Sequence, residues 1–166
     1  VWRFIASVDS RKIAMNPHPD KRSETPMRQA LHILTVPTDG EGLYLVTGPV
    51  RDWVAAQGIG QGLLTVFCRH TSASLLVQEN ADPDVRADLL DFFRRVAPQA
   101  ACYRHDAEGP DDMPAHIRAA LTQTQITIPV ERGRMLLGTW QGLYLFEHRA
   151  AANRRELALH LLGTSA

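Results

Sequence analysis

The chain has 166 residues, 45% of them hydrophobic and 22% charged, which suits one globular domain with a full core rather than two. Eighteen basic residues offset eighteen acidic ones, so no net positive field draws in nucleic acid or an anionic membrane surface, and no run of about 20 apolar residues is present to span a bilayer. Cys68 and Cys102 lie far apart without a CxxC partner, which excludes a zinc knuckle or disulfide framework, and with no apolar signal core the expected location is cytoplasmic.

Residues 1–26 lack sustained periodicity, carry three prolines near their end and hold both lysines, so they read as a loosely ordered extension ahead of a domain over 27–166. QALHILTV and LYLVT then place apolar side chains with a period near two, and TDGEG between them has turn chemistry; together they predict a β-hairpin. PVRDWVAAQG, with proline at its head and Gly58 at its end, predicts a short helix. GLLTVFCRH reads as a central strand with Cys68 as a buried thiol, and TSASLLVQE as another strand, so extended segments flank His70 and Thr71. Asp82-Pro83 opens the clearest helix, in which Val85, Leu89, Phe92, Phe93 and Val96 recur at helical spacing and mark a face expected to enter the core. A short helix from about Met113 to Leu121 follows, then strands at ITIPV, MLLG, WQGLYLFEH and ELALHLL. Strands outnumber helices, which predicts an α+β domain with largely antiparallel sheet.

The densest chemistry lies at residues 105–116, HDAEGPDDMPAH, with two histidines, one glutamate and three aspartates. Asp112 ahead of Met-Pro-Ala reads as a helix N-cap, which puts His116 about one turn into the helix. His105 and Glu108 lie on the arm that Gly109-Pro110 folds back, so His105, Glu108, Asp111 and His116 can converge. The helix macrodipole accounts for Asp111 or Asp112 as simple caps, but not for Glu108 or the flanking histidines. In a second stretch His70 precedes Thr71, Ser72 and Ser74, hydroxyls able to bond an anion or pin an imidazole tautomer, and Glu79 and Asn80 crowd the next strand end. One histidine at a strand end is, by itself, more often structural. The third stretch, GTWQGLYLFEHR, carries Trp140, Gln141, Glu147, His148 and Arg149, while Arg132 and Arg134 flank Gly133 in a turn. The acids and imidazoles of all three stretches are expected to meet around one centre.

The blocks FCRHTSASLLVQENADPDVRAD, YRHDAEGPDDMPAHIRAAL and GRMLLGTWQGLYLFEHR resemble the YjbQ family of small bacterial and archaeal proteins, also called the secondary thiamine-phosphate synthase family. The resemblance runs over about residues 29 to 163. It implies a single α+β domain of packed sheets with flanking helices, a homotrimer with sites near subunit boundaries, and a divalent metal, zinc or magnesium, held by histidines. By motif position the implied ligands are His105, His116 and His148, an imidazole set that suits a divalent transition metal and leaves a position open. The implied reaction condenses an aminopyrimidine methyl diphosphate with a thiazole phosphate and releases pyrophosphate. For that reaction His70, Glu79, Glu108, Asp111 and Gln141 are the catalytic candidates, and Thr71, Ser72, Asn80, Arg134, Trp140 and Arg149 the substrate-binding ones. Arg134 or Arg149 would neutralise departing oxygens, Glu108 or Asp111 would bond the aminopyrimidine, and Trp140 would stack on a ring. The acid-rich site and the absence of a glycine-rich phosphate loop suit metal-assisted hydrolysis of a small molecule better. A non-catalytic metal- or metabolite-binding trimer, and acids and histidines that only pair across subunits, are the other readings.

Overall fold

The computed structural model describes residues 26–165; the extension expected over 1–26 lies, Pro26 apart, outside the described residues. Two antiparallel sheets pack face to face. The larger has the order β1 (Met27–Thr38), β8 (Asn153–Ser165), β3 (Ile59–Cys68), β5 (Gln125–Glu131), β6 (Arg134–Met135). The smaller has β7 (Gln141–Glu147) between β2 (Gly42–Leu45) and β4 (Ala73–Glu79). Helices α1 (Thr47–Ala56), α2 (Pro83–Val96) and α3 (Asp112–Leu121) flank them, as an α+β domain requires.

Alternation along β8 shows why the sheets pack as they do. Arg155, Leu157, Leu159, Leu161 and Gly163 are buried while the residues between them are not, so one face of the strand turns inward. Leu64, Val66, Ile126 and Ile128 extend that face across the sheet, and Leu75, Leu143 and Leu145 meet it from the smaller sheet, with Val50 and Val54 of α1 closing one side. The outward face of the larger sheet carries Leu31, Ile33, Leu63, Phe67 and Leu162, between 37% and 72% exposed. Cys68 is buried and free, and burial pushes its thiol pKa up.

Four expectations are corrected. QALHILTV and LYLVT do not form a hairpin: β1 pairs with β8 and β2 with β7, in different sheets. The turn between them is a corner, closed by the Tyr44 hydroxyl, which accepts from the Asp39 N–H at 3.0 Å and lies against the Gly40 carbonyl at 2.8 Å. The strand at MLLG shrinks to the two residues of β6. The apolar face of α2 is only partly covered: Phe93 is buried edge-on against Phe146 and Val85 and Leu89 are half-buried, but Phe92 is 50% and Val96 43% exposed. Helical spacing marks such a stripe without showing what covers it. Finally, Asp111 takes the N-cap position of α3 without a side-chain capping bond, its carboxylate turning to Arg149 and Ala150, and Asp112 is the first helical residue, with a buried carboxylate.

β3 and β8 approach closely where Gly62 faces Gly163. A Cβ on Gly62 would sit 2.2 Å from the Leu162 carbonyl oxygen, and one on Gly163 would sit 2.1 Å from the Gln61 carbonyl oxygen, so backbone rather than side chain would have to move. Gly163→Ala is expected to lower unfolding free energy by about 2 kcal/mol or more in urea denaturation, the cost of overpacking without a flexible neighbour.

Candidate metal centre

The chain enters the site from β7. Glu147, at its end, is fully buried, and its carboxylate accepts from the Thr38 hydroxyl at 2.8 Å and from Nε and Nη2 of Arg155 at 2.6 Å each. The backbone N–H groups of His148 and Arg149 both donate to Glu147 Oε1 at 3.0 Å, which turns the chain sharply. His148 is thereby driven inward and Arg149 outward. Burial would raise the Glu147 pKa, but these bonds, led by that from Arg155, hold it below the usual carboxylate value.

Arg149 then gathers the acids of the dense segment. Its Nε donates to Asp111 Oδ2 at 3.1 Å, its Nη2 to the Glu108 carbonyl at 2.9 Å, and its Nη1 to Asp112 Oδ1. The Glu108 carboxylate stands off at 3.8 Å and is largely exposed. Asp111 also accepts from the Ala150 N–H at 2.8 Å; partial burial opposes its ionisation, and that bond together with Arg149 outweighs the burial and lowers its pKa.

With Oδ1 of Asp112 taken by Arg149, Oδ2 faces two imidazoles. His105 Nε2 is 2.7 Å away and His116 Nε2 3.5 Å, and the ligand atoms of His105, Asp112 and His116 all lie within 4.8 Å of one another. Asp112 and His116 reach one side because they are four residues apart on α3. The His116 Nδ1 lies 3.1 Å from the Thr71 carbonyl, which can only accept, so Nδ1 donates there and Nε2 is the ring atom turned toward Asp112. Asp112 is buried, while the side chains of His105 and His116 are 47% and 32% exposed. Two imidazoles and a carboxylate with open space in front match the donor set of a divalent transition metal, and the nitrogen donors favour zinc over magnesium.

The structure divides the other candidates. The third group of the cluster is the Asp112 carboxylate, where the motif reading had the His148 imidazole. His148 lies in the interior, its Nε2 2.9 Å from Ser74 Oγ and its Nδ1 buried without a partner, and burial beside Arg118 and Arg155 drives its pKa down to about 3. His70 Nε2 accepts the Glu156 N–H at 2.8 Å, and burial and then Arg155 lower its pKa. Ser72 Oγ accepts from Arg155 at 3.1 Å. Thr71, His70 and Ser72 therefore brace the site from behind.

Glu79, Asn80, Trp140 and Gln141 sit at the opposite end of the small sheet. Glu79 pairs with Gln141 in register, the Asn80 N–H donates to the Trp140 carbonyl at 3.0 Å, and Gln141 Oε1 accepts the Gly138 N–H at 2.8 Å. Arg134, on β6, borders the same end beside Gln141. The seven residues of β7 separate the ends by roughly 20 Å, so the expected single centre does not form within one chain. Local chemistry hid Asp112, which a cap explains adequately; its i, i+4 relation to His116 was the available signal. Nothing local marked Arg155, which approaches Glu147 only through sheet packing.

The profile of the UPF0047 protein YjbQ-like family matches residues 32–164. The chain belongs to this family. UPF0047 protein relatives include one from Synechocystis sp., 49% identical over 85% of this chain and 97% of its own, and YjbQ of Escherichia coli O157:H7, 42% identical over 78% and 95%. A YbjQ-like protein of unknown function from Sulfolobus solfataricus, 23% identical, superposes with a TM-score of 0.78 over 83% of this chain and 99% of its own and shares the fold. One of the three blocks that resemble YjbQ, YRHDAEGPDDMPAHIRAAL, contains all three cluster residues.

Two outcomes follow from the braces of this YjbQ-family site. Glu147→Gln is expected to cost about 3–5 kcal/mol at pH 7 in chemical denaturation, because it leaves the Arg155 charge buried and uncompensated. His148 stays neutral in the fold to about pH 3, while an unfolded imidazole titrates near 6.5. The unfolded chain therefore takes the proton first, so this contribution is complete above about pH 6.5 and declines steadily as pH falls toward 3. Unfolding free energy at pH 5 should lie about 2 kcal/mol below its value at pH 7 on this account, and His148→Gln should flatten that slope.

Proposed function

We propose that the protein is an enzyme acting on a small phosphorylated molecule at a divalent metal site formed by His105, Asp112 and His116. The observation that carries this reading is the His116 tautomer: its Nδ1 proton is committed to the Thr71 carbonyl, so Nε2 is prepared as a ligand beside Asp112. A cavity of about 300 Å³ borders His105 and Tyr103, at the small end of the range for small-molecule sites. An ion bound at the cluster would supply Lewis-acid stabilisation of negative charge on a phosphoryl oxygen or an acidified water.

The specific reaction we propose is the thiamine-phosphate synthesis implied by the YjbQ resemblance. Glu108, whose carboxylate is 69% exposed, is free to bond an aminopyrimidine, and Asp111 holds Arg149 in place. Arg149 positions Asp112 for the histidines rather than reaching substrate, since its guanidinium is shared among three acidic residues. That same commitment favours a second reading: with the Arg149 guanidinium occupied and not available to receive a departing pyrophosphate, metal-assisted hydrolysis of a phosphate ester needs less from the site. Among the described residues no helix is long and apolar enough to cross a membrane. A cytoplasmic homotrimer is part of the proposal, supported by the apolar outward face of the larger sheet.

The purified protein is expected to hold about one zinc per chain by elemental analysis. Asp112→Asn or His116→Ala should weaken binding at least a hundredfold, and Arg149→Met tenfold to a hundredfold as loss of a supporting contact. Thiamine phosphate formation from the two precursors should stop with chelator and return with zinc. Phosphate release without thiamine phosphate would favour the hydrolase, and metal binding with neither product would reduce the site to a non-catalytic one.

A further inference from the structure

We infer that the cleft between α1 and the β5–β6 hairpin is a second ligand site, separate from the metal cluster, for a small molecule that carries a phosphate monoester on an apolar body. The cleft has a volume of about 500 Å³, within the range of sites that enclose metabolite-sized ligands. It lies at the Gln141 end of β7, roughly 20 Å from the acids gathered by Arg149. The inference does not rest on a metal at the cluster.

Its walls supply the chemistry of anion recognition from parts of the chain far apart in sequence. Arg51 and Thr47 come from α1, Arg134 from β6 and Gln141 from the start of β7. Arg134 pairs with Glu131 through the β5–β6 ladder, but its guanidinium makes no hydrogen bond or ion pair among the described residues. Among the described residues Arg51 is paired only with its neighbour Asp52, at 3.0 Å, with the two side chains 63% and 70% exposed; such a solvated pair is worth little and yields readily to a better partner. Asp52 is the one carboxylate of the lining, which leaves the cleft with a net positive charge. The helix adds to this: α1 starts at the cleft with no acid in its first turn and no side-chain cap, so its positive end is unanswered there.

The hairpin that carries Arg134 is stiff. Arg132 and Gly133 both adopt left-handed backbone, at φ 51° and 71°, the pattern of a tight two-residue turn, and the Gly133 N–H donates to the Gly60 carbonyl at 3.0 Å. Such a conformation costs a non-glycine residue about 1–2 kcal/mol, and here it fixes the angle at which β6 leaves the turn. Ala55, Met135 and Leu137 supply an apolar lining for a ligand body. The Thr47 hydroxyl is held by the Leu143 backbone N–H at 2.8 Å, so the donors are the two guanidinium forks, which reach the cleft from different elements and offer more than the two oxygens of a carboxylate can use. A phosphate monoester, with three terminal oxygens and a second charge, uses them fully.

The probe is phenyl phosphate, titrated calorimetrically into the full-length protein after chelator treatment, with benzoate and inorganic phosphate as comparisons. Binding should persist in the chelated protein and in His116→Ala. It should weaken at least tenfold in Arg134→Ala and in Arg51→Ala, both exposed positions where the fold is indifferent to truncation, and recover in part in Arg134→Lys. Benzoate and inorganic phosphate should each bind at least fivefold more weakly. No measurable binding at millimolar phenyl phosphate, binding unaffected by both arginine truncations, or binding abolished in His116→Ala would each overturn the site, and benzoate binding equally well would overturn the phosphate assignment.

Discussion

The Glu147 carboxylate is the contact on which the rest of the structure depends. It belongs to the small sheet, yet it accepts from Thr38 and Arg155 of the large one and from the two backbone N–H groups that follow it. A buried ion pair repays its desolvation only when every lone pair and proton finds a partner. Here the carboxylate has five donors, and Arg155 uses its remaining reach on Ser72. The network locks the two sheets together at one end and sets the direction of the chain beyond β7. From that direction follows the position of Arg149, from Arg149 the orientation of Asp112, and from Asp112 the gap into which His105 and His116 point.

The segment after β3 completes the same construction without contributing a free reactive group of its own. The Thr71 carbonyl sets the His116 tautomer, Ser72 steadies Arg155, and His70 satisfies the Glu156 N–H. Charge is then distributed along β7 in opposite senses. Acids and imidazoles crowd the Glu147 end, suited to cations, while arginines and a helix start gather near Gln141, suited to anions.

Much of the fold was legible in the chain. Period-two runs marked β1 and β2, other extended runs marked β3, β4, β5, β7 and β8, and Asp82-Pro83 marked the start of α2 to the residue. What misled was chemistry that looked complete locally. TDGEG is a good hairpin turn, but the partner of β1 is β8, with Met27 opposite Thr164, and no local feature announces a pairing across so many residues. Asp112 reads locally as a cap, a position that Asp111 takes, so its role beside His105 and His116 was passed to His148, whose partner is Ser74. The stripe on α2 was recognised, yet its exposure depends on what lies opposite it.

By itself the sequence determined the α+β class, the antiparallel strands and the segment in which histidines and carboxylates are concentrated, because each of these is written in spacing or composition over a few turns or strands; the YjbQ-family membership rests on three longer blocks of residues. Tertiary structure alone decided that Glu147 is buried, that Asp112 rather than His148 completes the cluster, and that Gln141 and Arg134 stand at the far end from it. Burial, tautomer and ion pairing are set by neighbours brought together through packing of distant strands. Side-chain spacing along the chain carries no record of which neighbours those will be.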